Sequence, residues 1–334
     1  MIENIFKNQT SLPWLEERTM LLVRSGSHAY GTNIASSDED FKGFAVPPKE
    51  YFTGFVKKFD QAVCKTPDAV IYGIQKFFNL AADCNPSIIE VLFTDPCDVL
   101  IGHPAALPLI INRNAFLSKK AKFTFSGYAI SQLKRIQTHR RWLLNPLEHE
   151  PTRVEYGLQE VRAVSKEQFG AAEANIKATL NLEAGDPTVE EFAAAAKGFG
   201  YEDNFIEYIQ REQRFRRAKQ EWVQYCTWKA ERNAARAETE RKFGYDTKHA
   251  MHLCRLLTMC KEILTGEGVI VKRPDAHWLL GIRNGAWSYD ELMAWASNAE
   301  ASLEALYTTS RLLHTPDRNF LDSLCMQIVE KVNG

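Results

Sequence analysis

The stretch VRSGSHAYGTNIASSDEDFKGFAV, residues 23–46, ends one apolar run on a Gly-Ser pair and opens the next on three adjacent acids, Asp38, Glu39 and Asp40. Both runs, residues 20–25 and 41–47, are short and apolar, and Pro47-Pro48 stops the second. That pattern predicts two buried strands joined by a bend in small polar residues, which excludes an all-helical start to the chain. Adjacent carboxylates repel one another, so the fold must also supply something that offsets their charge.

Further along, "KKFDQAVCK" at 57–65 predicts a third strand. "TPDAVIYGIQKFFNLAADCNP" predicts a strand end running into a helix, with Ile74, Phe77, Phe78 and Ala81 at helical spacing and Asn85-Pro86 stopping the run. "SIIEVLF" fits a short strand or a helical turn equally well. From about residue 104 the character becomes helical: "SKKAKFTFSGYAISQLKRIQTHRRWLL" reads as one long amphipathic helix or a pair, and 205–242 as one long charged helix. Gly198 and Gly200 mark a helix end, Asp246 an N-cap, and Gly266 and Gly268 another end. The expected class is therefore α+β. A small mixed sheet backed by helices occupies residues 1–100, and a mostly helical region fills 101–334 with a charged elaboration at about 145–243.

The chain has 334 residues and a formal net charge of −1, which excludes nucleic-acid binding by bulk positive charge while leaving a local basic face open. Seven cysteines, an odd number without a CxxC pair, predict reduced, mostly buried thiols and not a disulfide framework. No apolar run reaches the roughly 18–20 residues of a membrane span, and the N-terminus lacks a secretory core; a cytoplasmic location without a membrane partner is expected.

On a strand, residues two apart share a face, so Asp38 and Asp40 converge while Glu39 points away. Paired carboxylates suit Mg²⁺ or Mn²⁺, hard ions completed by water and substrate phosphate. A Gly-Ser bend just upstream can bring backbone N–H groups and a hydroxyl to a phosphate. The plain alternative is a solvated acidic turn. Asp68 is a candidate third carboxylate on a neighbouring strand, with N-capping of the following helix as its structural alternative.

"GSHAYGTNIASSDED" resembles the signature of the DNA polymerase beta-like nucleotidyltransferases: Gly-Ser, a short helix, then Asp-x-Asp opening a strand. "PDAVIYGIQKFFNLAADCNPSIIEVLF", "FLSKKAKFTFSGYAISQLKRI" and "YDTKHAMHLCRLL" are similar to its branch of YcgL-type nucleotidyltransferases associated with RNA repair pathways. The resemblance covers residues 20–140 and about 243–285. It implies a mixed sheet backed by helices, with later helices closing over the nucleotide. It also implies that Gly26 and Ser27 contact the triphosphate, that Asp38 and Asp40 hold Mg²⁺ or Mn²⁺, and that Asp68 completes the metal site and helps activate the attacking hydroxyl.

The implied reaction moves a nucleoside monophosphate from a triphosphate such as ATP to an acceptor hydroxyl, releasing pyrophosphate. Cations are then needed for the leaving group. Lys248, His252 and Arg255 lie at i, i+4 and i+7 and form one helical stripe, opposite Leu253, Leu257 and Leu264. The same spacing also describes the wet face of an amphipathic helix. Tyr128, Gln132, Arg135 and His139 share another face, and Lys119 and Lys120 stand near that helix's start. Phe215, Trp222, Tyr225 and Trp228 interleave with basic groups as in single-strand binders, but nearby glutamates largely cancel the charge. An RNA end is the leading acceptor, with a protein or a small molecule as alternatives. A regulatory nucleotide- or RNA-binding protein that keeps the fold without turnover is the competing class, and a metal-dependent glycosyltransferase is weaker because it leaves the Gly-Ser spacing unexplained.

Overall fold

The computed structural model describes residues 2–7, 9–162, 164–180 and 188–334. The chain divides into two compact units, Met1–Arg140 with Thr239–Gly334, and Arg141–Glu238.

The first unit holds a five-stranded mixed sheet. In chain order its elements are α1 (Ile2–Lys7), β1 (Thr19–Ser25), α2 (Gly26–Tyr30), β2 (Asp40–Ala45), α3 (Glu50–Thr53), β3 (Gln61–Lys65), β4 (Asp68–Gly73), α4 (Ile74–Ala82), α5 (Pro86–Leu92), β5 (Val99–Gly102) and α6 (Leu107–Ile111). The long helix α7 (Lys120–Leu144) follows. The strand order is β3-β4-β2-β1-β5. The β2–β4 pair is parallel and the other pairs are antiparallel. With helices after the sheet and a helical C-terminal region, the fold is α+β.

Both faces of the sheet are covered, and side-chain alternation sorts residues between them. Leu22, Phe41, Ala45, Ala69 and Ile71 pack on one side with Ile5, Phe6 and Leu15. Leu21, Val23 and Phe44 pack on the other, in a core shared with Ile74, Phe77 and Phe78 of α4, Ile88 and Ile89 of α5, and the later helices. Asp40 and Lys42 keep the parity of Phe44, and Asp68 keeps that of Tyr72, which packs on the same core. The acids therefore lie on the sheet face that the helices cover.

"SIIEVLF" is helical, and the reason is local. Asn85 is the N-cap of α5, its side chain accepting from the Ser87 N–H at 3.1 Å, and Pro86 sits at the first helical position. The dipeptide expected only to stop one helix starts the next.

In the second unit, α8 (Lys166–Thr179), α9 (Val189–Gly198) and α10 (Asp203–Glu231) gather around Phe169, Ile176, Phe192 and Ile209. The expected single helix over 205–242 is interrupted: α10 ends at Glu231 and α11 (Ala234–Phe243) follows. The aromatics of α10 pack in part on one another. The Tyr225 ring lies 5.8 Å from those of Trp222 and Trp228 and 5.7 Å from Trp142, and Phe215 packs on Tyr156 at 5.8 Å.

The chain then returns to the first unit through α12 (Thr247–Thr265), α13 (Ala276–Arg283), α14 (Tyr289–Thr309) and α15 (Arg318–Asn333). Asp246 caps α12, accepting from the His249 N–H at 3.0 Å, and Gly266 ends it in the left-handed conformation. Leu253, Leu257 and Leu264 are buried, as the helical pattern requires. None of the seven cysteines is in a disulfide, and Cys97 and Cys226 are exposed. Among the described residues, no helix is long and apolar enough to cross a membrane.

Candidate active site

β1 delivers the chain to Ser25, which pairs in register with Asp40 on β2. The turn out of β1 is made at Gly26, whose φ of +66° favours glycine. Space demands glycine there as well: a Cβ on residue 26 would stand 2.2 Å from Asp40 Oδ2. The Gly26 backbone thus lies directly against the Asp40 carboxylate. Ser27 follows within α2, and its carbonyl accepts from the Thr32 N–H at 2.9 Å. His28 reaches the Ser37 carbonyl at 3.3 Å, which ties α2 to the loop leading to the acids.

Asp40 opens β2, and Asp68 is its register partner on the parallel strand β4. Registered residues of neighbouring strands project to the same face, so the two carboxylates stand side by side. Asp68 begins a strand and does not cap a helix. Asp38 is exposed and precedes β2. Glu39 points away from these acids and pairs with Arg24 at 3.0 Å, while Arg24 also reaches Asp98 at 3.1 Å.

Electrostatics link the three aspartates. Burial, then the charge of Asp68 and more weakly that of Asp38, push Asp40 above its usual carboxylate range, while Lys42 and Lys248 act the other way. Lys248 on α12 and Lys42 on β2 are therefore cations that Asp40 feels. Lys42 was missed in the sequence, although its position two residues after Asp40 places it on the same face of the strand.

Two members of the expected cationic stripe on α12 stand in surroundings that their spacing does not reveal. Arg255 is only 5% exposed and forms a buried ion pair with Glu90 on α5. Its guanidinium lies 3.8 Å from the centre of the Tyr30 ring, and the Tyr30 hydroxyl donates to Glu90 Oε2 at 2.6 Å. Burial, together with the charges of Arg255, Lys248, His249 and Arg283, holds His252 well below the usual imidazole range, so it is neutral near pH 7. The helix does carry a polar face, but that face is turned inward, where one cation is neutralised and one imidazole is uncharged. Arg283 on α13 is a cation the pattern missed; it donates to the Thr32 carbonyl at 3.2 Å.

Lys119 and Lys120 are also held structurally. Lys119 is buried with its ammonium 5.5 Å from the Tyr307 ring centre, and Lys120 pairs with Asp83 at 2.7 Å. The Tyr128 hydroxyl accepts from the Asn85 amide at 3.1 Å. One group of three His, Cys, Asp or Glu ligand atoms within 4.8 Å of one another occurs among the described residues, and it lies elsewhere, at His139, Asp246 and His249. The Asp38, Asp40 and Asp68 carboxylates do not form such a group.

Residues 3–156 match the family model described as the RNA repair pathway DNA polymerase beta family. That match bears out the resemblance carried by the Gly-Ser and Asp-x-Asp pattern. Among curated proteins, the chain is 35% identical over 130 residues to an uncharacterized 38.9 kDa protein of Enterobacteria phage T4 from the nrdC-mobD intergenic region. The aligned stretch is 35% of this chain and 38% of the phage protein's length. No solved structure matches the chain.

Proposed function

We propose that this chain is a metal-dependent nucleotidyltransferase that moves a nucleoside monophosphate from a triphosphate to an acceptor hydroxyl and releases pyrophosphate, with an RNA end as acceptor. The observation that carries the reading is the register pairing of Asp40 with Asp68, beside a Gly26 backbone that only glycine can bring so close to the Asp40 carboxylate. The family matched over residues 3–156 supports the reaction class, and its RNA repair description supports RNA as acceptor.

The donor set fits a hard divalent cation. Its groups are carboxylate oxygens, and Asp40 is raised first by burial and then by the charge of Asp68, which a cation would offset. Asp38, Asp40 and Asp68 would hold Mg²⁺ or Mn²⁺, which when bound supplies charge stabilisation for the attacking and leaving oxygens. The protein's own part is positioning and electrostatics. Gly26 and Ser27 leave backbone open to phosphate at the end of β1. Lys248 carries positive charge toward the acids, and neutral His252 offers a hydrogen bond without adding charge. Asp68 takes the proton of the attacking hydroxyl. Arg255 acts indirectly, as a positioning residue that clamps α2 through Tyr30.

Incubation of the protein with each of the four α-labelled ribonucleotides, Mg²⁺ or Mn²⁺, and either total RNA or total protein tests donor and acceptor together. Label in RNA, absent for Asp40→Asn, is the expected outcome. Label confined to protein or to small molecules would replace the acceptor but keep the reaction. Nucleotide binding without transfer would favour a regulatory protein.

A further inference from the structure

His139 near the end of α7, Glu240 on α11, and Asp246 and His249 at the start of α12 converge in the first unit. Ligand atoms of His139, Asp246 and His249 all lie within 4.8 Å of one another. Asp246 Oδ2 is 3.5 Å from His249 Nε2, and Glu240 Oε1 is 3.9 Å from His139 Nδ1. The two imidazole rings are 6.1 Å apart between centres. Glu240 is fully buried, Asp246 is 1% exposed and His249 is 9% exposed.

From this geometry we infer a second metal site, distinct from the three aspartates, that takes a transition-metal dication of the zinc type. His139, Asp246 and His249 are its three protein ligands, with a fourth position open. Both nitrogen-to-oxygen separations exceed a hydrogen bond, which spans about 2.7–3.2 Å. The 3.5 Å between Asp246 and His249 is close to the edge of a tetrahedron built on Zn–N and Zn–O bonds of about 2.0–2.2 Å, which is roughly 3.4 Å. Two imidazoles and a buried carboxylate make a nitrogen-and-oxygen donor set of the kind zinc takes. Imidazole nitrogen selects zinc and its neighbours over Mg²⁺, so this site and the aspartate site discriminate between metals by ligand chemistry.

Position gives the site a structural task. Asp246 already caps α12 through Oδ1, which orients its second oxygen toward His249. A metal here joins α7 to the N-terminus of α12, just before Lys248. It fixes the start of the helix from which Lys248 approaches Asp40.

The test is metal analysis of the purified full chain after long dialysis against Mg²⁺ buffer without chelator. Retention of about one zinc per chain is expected, together with the visible ligand-field bands of tetrahedral Co²⁺ after cobalt exchange. His139→Ala and His249→Ala should each weaken Zn²⁺ binding by more than about tenfold, the change already typical for loss of a mere supporting partner. Asp40→Asn should keep the zinc, which separates this site from the proposed catalytic one. If the histidine variants fail to fold, the unaltered chain still decides: Zn²⁺ should raise its melting temperature and a chelator should lower it. Absence of retained zinc, with a melting temperature indifferent to zinc and chelator, would overturn the inference, as would zinc retained undiminished in a folded His139→Ala, His249→Ala double variant.

Discussion

Arg255 and Glu90 form an ion pair beneath the Tyr30 ring, with 5% and 7% of their respective surfaces exposed. The pair joins α12 to α5, and through the Tyr30 hydroxyl it fixes the short helix that follows Gly26. A cation that the helical pattern offers to a phosphate is thereby committed to holding the phosphate-side turn in place.

Removing one partner should be costly. Glu90→Ala leaves a buried guanidinium without its carboxylate, and about 3–5 kcal/mol of stability should be lost. A Glu90→Leu, Arg255→Met double variant should lose much less, because no buried charge is stranded. Urea unfolding of Glu90→Ala and of the double variant measures the difference. A guanidinium serving nucleotide alone would instead leave stability untouched and raise KM for the triphosphate.

Gly26→Ala should separate folding from ligand binding. The left-handed backbone costs alanine about 1–2 kcal/mol, a modest loss for the whole fold. The added Cβ, 2.2 Å from Asp40 Oδ2, must also push that carboxylate aside. Mn²⁺ affinity followed by electron paramagnetic resonance should therefore fall by about tenfold or more, equivalent to about 1.4 kcal/mol, in protein that is still folded. Unaltered Mn²⁺ binding in this variant would contradict the placement of Asp40.

The second unit carries a pH signature. Burial alone would raise Glu212, but the Arg153 guanidinium, the Tyr208 hydroxyl at 3.1 Å and the charge of Arg162 outweigh it and hold the carboxyl below its usual range. A depressed folded value means the contribution is complete above the unfolded value of about 4.3 and disappears as pH falls through the folded one. Stability should therefore drop below about pH 4, and Glu212→Gln should flatten that part of the profile. Thermal melts of the two proteins across the acid range, compared by difference, measure it; parallel profiles would contradict the assignment.

Much of the first unit is legible because local signals agree there. The apolar runs of β1 and β2, the stop at Pro47, the Asp246 cap and the Gly266 terminus all act within a few residues, and the structure keeps each of them. Asn85-Pro86 reads locally as a stop, yet the one dipeptide carries both the end of the α4 run and the start of α5, which is why "SIIEVLF" stays open between strand and helix. The α12 stripe misled for a different reason. Its spacing is real, but Arg255 is buried by a glutamate 165 positions earlier in the chain, and no local pattern reports such a partner. The same holds for His139 with Asp246 and His249, which meet only after the chain has passed through the second unit. Asp40 and Asp68 are intermediate: each opens a recognisable strand, but their register across a parallel pair is set by the whole sheet.

The central claim is that Asp40 and Asp68 together hold the metal-bound triphosphate, and pyrophosphate release measures it most directly. With Mg²⁺ or Mn²⁺, a ribonucleoside triphosphate and total RNA, the unaltered chain should release pyrophosphate, whereas folded Asp40→Asn and Asp68→Asn should each lose at least about a hundredfold in rate. Equal release by the unaltered chain and both variants, or none from any of them while triphosphate still binds, would contradict it.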